Sequence, residues 1–200
     1  ASRARFPSVG MQGRASWSNW AGNQACAPTS IRAPRSDGEL AAIVRQAAEA
    51  GTRVKCVGAG HSFTPIACTD GVMVDLRHYA QVLEHDADAR TITTQTGITL
   101  SALSAELDRR GLALENLSDI AYQSIAGATA TATHGTGWQF GNISSRIIGL
   151  RIVTGDGSII NATATENPEV LDAARVGVGA LGIVSTITLQ VVKAFRLHAI

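Results

Sequence analysis

The stretch VKCVGAGHSFT, residues 54 to 64, decides how this chain is read. Val54 to Val57 have the character of a strand. Gly58-Ala59-Gly60 then form the kind of turn in which backbone amides after a strand meet phosphate. A Rossmann dinucleotide fingerprint needs a third glycine and a helix opening directly behind it. Here the third position is Phe63 and Pro65 follows, so no amphipathic helix begins and the Rossmann reading fails on context. Without a Cβ, Gly58 and Gly60 still admit close backbone approach and unusual φ/ψ, which lets successive N–H groups point at an anion. A tight turn with no ligand is the plainer alternative. Neither reading accounts for His61 at the tip.

Outward from this loop, local signals predict a mixed set of elements. Ser36 and Glu39 form a capping box for a helix from about Asp37 to Ala50, with Leu40, Ile43, Val44 and Ala47 on one face and Gly51 as its stop. Strands are predicted at 53–57, 72–76, 81–85, 91–96, 147–153, 158–161 and 183–192. A second helix runs from about Thr99 to Arg110, and Pro168 opens a short third. Helices and strands mix without strict βαβ alternation, so the fold class is α+β. A "helix, Gly, strand, small-residue loop" plan occurs over 37–62 and again over 99–137, which fits two small α+β lobes meeting over a shared ligand. Residues 1–16 read as an irregular basic arm. Trp17 and Trp20 read as covers for a core edge.

Composition excludes several classes. Apolar residues make up 45% of the 200 positions, charged residues 16%, and the net charge is +1. That is a globular chain with no basic footprint for nucleic acid, and at 4% aromatics it has no stacking platform for single strands. No apolar run is long enough for a membrane span, no signal peptide is visible, and a cytoplasmic location is expected. The three cysteines, Cys26, Cys56 and Cys68, have no CxxC spacing and read as small buried hydrophobes in a reducing compartment. No G-x-S-x-G and no H-E-x-x-H is present, which leaves neither a hydrolase triad nor a zinc site. His78 and His85 read as solvated.

Two further stretches carry chemistry. In SIAGATATATHGTG, residues 124 to 137, small side chains would let backbone lie against something flat and large. In an extended chain Thr129, Thr131 and Thr133 would share one face. His134 reads either as a contact to that surface or as a satisfied structural histidine. In GVGALGIVSTITLQ, residues 177 to 190, three glycines lead into an apolar strand, a weak signal alone.

Taken together and in order, VGAGHSFTPIACTDGVMVDL, LENLSDIAYQSIAGATATATHGTG and GALGIVSTITLQ resemble the FAD-binding domain of the vanillyl-alcohol-oxidase-type flavoenzymes. Within that group the chain is most similar to the sugar-1,4-lactone oxidoreductases (L-gulono-1,4-lactone dehydrogenases and oxidases, D-arabinonolactone oxidases), with alditol oxidase a relative. The resemblance runs from Trp17 to about Leu197. It implies a two-lobed α+β domain, lobes about 17–80 and 81–197, with FAD held between them. It implies that Val57, Gly58, Ala59, Gly60, His61, Ser62 and Phe63 form the first FAD loop, with His61 the covalent attachment point of the flavin. Some relatives carry another residue there and bind FAD without a bond. Asp119, Ser124, Gly127, Thr131, Thr133 and His134 fall on the second flavin-lining segment, and Ile183 falls where backbone reaches the adenine side. The implied activity is hydride transfer from a sugar lactone to FAD, with oxygen or an electron-acceptor protein taking the electrons. An alditol (polyol) oxidase and an FAD-binding module inactive without its partner domain are the alternatives. The family's substrate domain, where catalytic side chains are expected, is absent from these residues.

Overall fold

The computed structural model describes residues 15–197. The arm expected over 1–16 therefore lies, but for its last two positions, outside the described residues. The chain begins with a small hairpin, β1 (Trp17–Ser18) and β2 (Ala25–Cys26), and then builds a parallel three-stranded sheet. That sheet comprises β3 (Ser30–Arg32), β4 (Val54–Val57) and β5 (Val72–Asp75), with β5 in the middle. Helix α1 (Asp37–Glu49) links β3 to β4, so one βαβ unit does occur, in a chain that is otherwise antiparallel.

Helix α1 forms where its cap dictates. The Glu39 amide donates to Ser36 Oγ at 3.2 Å, while the Glu39 carboxylate reaches one residue further back and accepts from the Arg35 amide at 2.7 Å. Leu40, Ala41, Ile43 and Val44 bury the inner stripe against Val74, Leu76, Tyr79 and Val153. Val153 belongs to the other sheet, so α1 is packed between the two. Removing one of these side chains, as in Leu40→Ala, costs roughly 2–5 kcal/mol.

The second sheet has five antiparallel strands in the order β10-β9-β11-β7-β6. They are β6 (Val82–Asp86), β7 (Thr91–Gln95), β9 (Ile147–Val153), β10 (Ile159–Thr163) and β11 (Ile183–Gln190). Helices α2 (Leu100–Asp108), α3 (Ile125–Ala130) and α4 (Pro168–Ala174) share its core, in which Leu103, Leu107, Ile125 and Leu171 meet Ile92, Ile152, Ile187 and Leu189. A short pair, β8 (Leu112–Ala113) with β12 (Val192–Lys193), closes the far side.

A polar knot joins the two halves. Asp37, at the start of α1, accepts from the Tyr79 hydroxyl and pairs with Arg151 of β9 at 3.2 Å. Burial alone would raise Asp37, but hydrogen bonds from Tyr79, Ser185 and Arg151 outweigh it and hold the carboxyl below its ordinary value. Arg45 of α1 also reaches across and donates to the Gly157 carbonyl at 3.1 Å.

Three expectations change. Residues 125–130 are helical, not extended, because Ser124 caps the turn and Ile125, Ala128 and Thr129 bury one helical stripe. The repeated plan is therefore broken in its second copy, where the strand is only Leu112–Ala113 and the small-residue segment opens as a helix. The cysteines are half-buried rather than fully buried.

Candidate functional site

The loop after β4 is held from one side by the β1–β2 hairpin. The Gly60 carbonyl accepts from the Trp20 amide at 2.9 Å, and Asn19 Nδ2 donates to the Ser62 carbonyl at 2.9 Å. Asn23 and Gln24 side chains both donate to the Phe63 carbonyl at 3.2 Å. Asn19 is itself buried and fixed, its Oδ1 accepting from the Gln24 amide at 3.0 Å. The loop's carbonyls are thus tied down. Among the described residues no protein acceptor meets the backbone N–H groups of Ala59 to Phe63. A run of such donors suits an anion, as a diphosphate is.

Two glycines make this shape possible. Gly60 has φ +70°, a conformation that costs a side-chain-bearing residue about 1–2 kcal/mol. Gly58 lies so close to the cap of α3 that a Cβ there would overlap Ser124 Oγ and come within 2.7 Å of Ser124 Cβ. That contact joins the two segments singled out in the sequence.

His61 contacts two aromatic rings. Trp20 stacks on it with ring centroids 5.1 Å apart, and Tyr122 lies at 6.4 Å, nearly parallel. Phe63 meets Trp20 edge-on at 6.2 Å. Trp20 is 59% and Tyr122 69% exposed, so the stack is open outward and Trp20 covers no core edge. The indole serves the histidine instead. Burial holds the His61 imidazole below its ordinary value, which favours the neutral, nucleophilic form.

The remaining candidate residues fall at graded distances from this centre. Val57 is the buried end of β4, and the Ser62 hydroxyl stays within the loop, 3.0 Å from Thr64 Oγ1. Ser124 is buried and accepts from the Gly127 amide at 3.3 Å, and Thr131 Oγ1 donates back to the Gly127 carbonyl at 2.9 Å. Thr133 donates its amide to the Ala128 carbonyl and accepts from the Ile143 amide, both at 2.9 Å, which fixes the chain past the helix. His134 is exposed, with Nδ1 2.7 Å from the Gly135 carbonyl. A carbonyl only accepts, so Nδ1 is the donor in this contact. Asp119 is exposed in the segment before α3.

Ile183 is not drawn to the loop directly. It begins β11 opposite Val153 and packs against the cluster around α1. Its link to the centre runs through Thr96, whose amide donates to the Ser185 carbonyl at 3.1 Å while its own carbonyl accepts from Ala126 at 3.0 Å. Sequence reasoning missed Asn19, Trp20, Tyr122 and Thr96. The polar WSNW run before the loop was the one available signal for the first two.

The chain is similar to known proteins. Residues 28–163 fit the model of a family described as FAD binding domain. An L-gulono-1,4-lactone dehydrogenase of Mycobacterium tuberculosis is 52% identical over 91% of this chain, and an L-gulonolactone oxidase of Mus musculus is 36% identical over 90% of it. This chain spans only 42% and 41% of those relatives' lengths. The crystal structure of 6-hydroxy-D-nicotine oxidase from Arthrobacter nicotinovorans superposes on 82% of the chain, and 36% of its own, with TM-score 0.73 at 24% identity, and so shares the fold. The α+β class holds, the cofactor is FAD, and the chain belongs to the FAD-binding domain family.

Proposed function

We propose that this chain is the flavin-holding part of an FAD-dependent oxidoreductase acting on a sugar-1,4-lactone such as L-gulono-1,4-lactone, with His61 as covalent tether. The single observation that carries the tether is the position of His61. It sits half-buried beside Trp20 and Tyr122, where burial disfavours its charged form, on the loop whose amides meet no protein acceptor among the described residues. The substrate class rests on the names of the relatives.

When bound, FAD supplies the redox chemistry, accepting hydride from the lactone. The chain's own residues supply position. Amides of the loop from Gly58 to Ser62 hold the diphosphate, and the packing of Gly58 on Ser124 fixes that loop against α3. Ser124, Gly127, Thr131, Thr133 and His134 line the flavin from the second segment. Trp20 and Tyr122 beside the imidazole would limit its rotation, so that a bound flavin would be met with less orientational entropy left to lose.

A denaturing gel viewed under ultraviolet light after acid treatment tests the tether, since flavin fluorescence should travel with the protein. His61→Ala should abolish that band while leaving some bound FAD. Fluorescence that persists in the variant would remove His61 from the role. The substrate class is tested separately, by reduction of an artificial electron acceptor with L-gulono-1,4-lactone. Turnover with a polyol but not with the lactone would favour the alditol-oxidase reading. Bound FAD without turnover would favour a cofactor-binding module that needs a partner domain.

A further inference from the structure

The cysteines lie outside the site just described, yet two of them line one cleft beside the parallel sheet. Strands β3 and β5 pair with Ser30 opposite Val72, Ile31 opposite Met73 and Arg32 opposite Val74. Ahead of the strands the same register continues. The Thr29 amide and hydroxyl both donate to the Gly71 carbonyl, at 2.8 and 2.9 Å, across the same 42-residue offset. Cys26 and Cys68 stand at that offset too. Both are half-buried, both line one cleft of about 380 Å³ with Arg53, Lys55, Thr69 and Asp70, and the Cys26 thiol is near enough to raise that of Cys68. Cys26 ends β2 and Cys68 follows the Pro65–Ala67 turn, and the shared cleft brings the two thiols to one place.

We propose that Cys26 and Cys68 form a redox-modifiable dithiol, closed to a disulfide by a hydroperoxide. The Cys26 sulfur attacks a peroxide oxygen; the O–O bond breaks, water leaves, and a sulfenic acid remains. Cys68 attacks that sulfur, the S–O bond breaks and a second water leaves. Two thiols thus give one disulfide, and their two electrons reduce one hydrogen peroxide to two waters. Burial, and then the neighbouring Cys26, push the Cys68 thiol up to about 11, which suits it to the resolving rather than the attacking step. Cys56 stays out of the reaction, since burial pushes its thiol up to about 12.

The closed bond acts on the flavin loop. Cys26 pairs with Trp17 in the hairpin whose Asn19 and Trp20 hold the His61 loop, and Cys68 ends the short 3-10 turn, Pro65–Ala67, that follows this loop. The disulfide therefore staples the hairpin to the segment it supports.

The test treats the full 200-residue chain, first reduced, with hydrogen peroxide and then blocks remaining thiols. Chymotrypsin separates Cys56 from Cys68 by cutting after Phe63, and mass mapping reads the pairing. The expected result is a linked Cys26–Cys68 peptide pair, a fall from three free thiols to one, and a rise in Tm of about 5 °C or more. Dithiothreitol should reverse all of it. Amide exchange over residues 16–29 and 58–68 should slow in the oxidised form. Cys26→Ser and Cys68→Ser should each prevent the shift, the first leaving Cys68 reduced and the second leaving Cys26 singly oxidised. A Cys56 linkage, disulfide-linked dimers, or sulfinic acids forming singly in the unaltered chain would overturn the proposal, as would an unchanged thiol count.

Discussion

The loop at 58–64 and the helix α3 at 125–130 are both rich in small residues, yet they use them in opposite ways. In the loop, Gly60 adopts a left-handed conformation and Gly58 accepts a neighbour so close that no side chain fits. In the helix, Gly127 has ordinary backbone, and a Cβ there would meet Ser124 Oγ at 3.5 Å, a normal contact. The difference teaches that glycine in the loop is required by the protein's own geometry. Glycine in the helix is not required by any contact within the protein.

Gly58→Ala breaks the comparison at its strongest point. The obstructing atoms belong to the buried cap Ser124, which has no room to turn aside. Denaturant unfolding should show a loss of about 1–3 kcal/mol, and flavin absorbance after gel filtration should fall sharply. Adding Ser124→Gly should recover part of both, because the clash and its relief are one interaction. Gly60→Ala comes next, at about 1 kcal/mol of destabilisation from the positive φ.

Gly127→Ala should run the other way. In the flavin-free chain it should stabilise by roughly 0.5–1 kcal/mol, since alanine is the better helix former. The same change should reduce FAD retention if flavin lies against that backbone. An alanine variant that is more stable and retains FAD equally well would place the flavin elsewhere.

The smallest expected effect is the pH response of His61. Burial lowers its folded value below the ordinary 6.5, so the unfolded chain takes up the proton first as pH falls. Stability is then level above the ordinary value and declines as pH drops through 6.5 toward the lower folded one. Unfolding free energies measured between about pH 8 and 5 should show that decline in the unaltered chain, and His61→Gln should remove the His61 part of it. Trp20→Ala should shift the imidazole titration, followed by NMR, back toward its ordinary position.

Much of the fold was legible because local rules agreed with the tertiary outcome. The stripe of Leu40, Ile43 and Val44 with the Ser36 cap predicted α1 to within one residue of its end, and strand β9 matched at both ends. The helix α3 was misread because alternating alanine and threonine imitates the period of a strand. Only the docking of Ile125, Ala128 and Thr129 into the core chose the helical period instead. Trp20 was misread for a related reason, since a tryptophan near the start of a domain is ordinarily core, and nothing local told that its ring would face His61.

By itself, the sequence determined the loop chemistry: a glycine turn that is not Rossmann, a histidine at its tip, and the order of three motifs that mark an FAD-binding domain. Those depend on residue identity and spacing, which a linear chain carries in full. The tertiary structure decided what surrounds them. Asn19, Trp20 and Tyr122 converge on the loop from segments about 40 and 60 residues away, and the packing of the hairpin beside the parallel sheet brings Cys26 and Cys68 to one cleft. Contacts of that range arise only when sheets pair and helices pack, and no local periodicity encodes them.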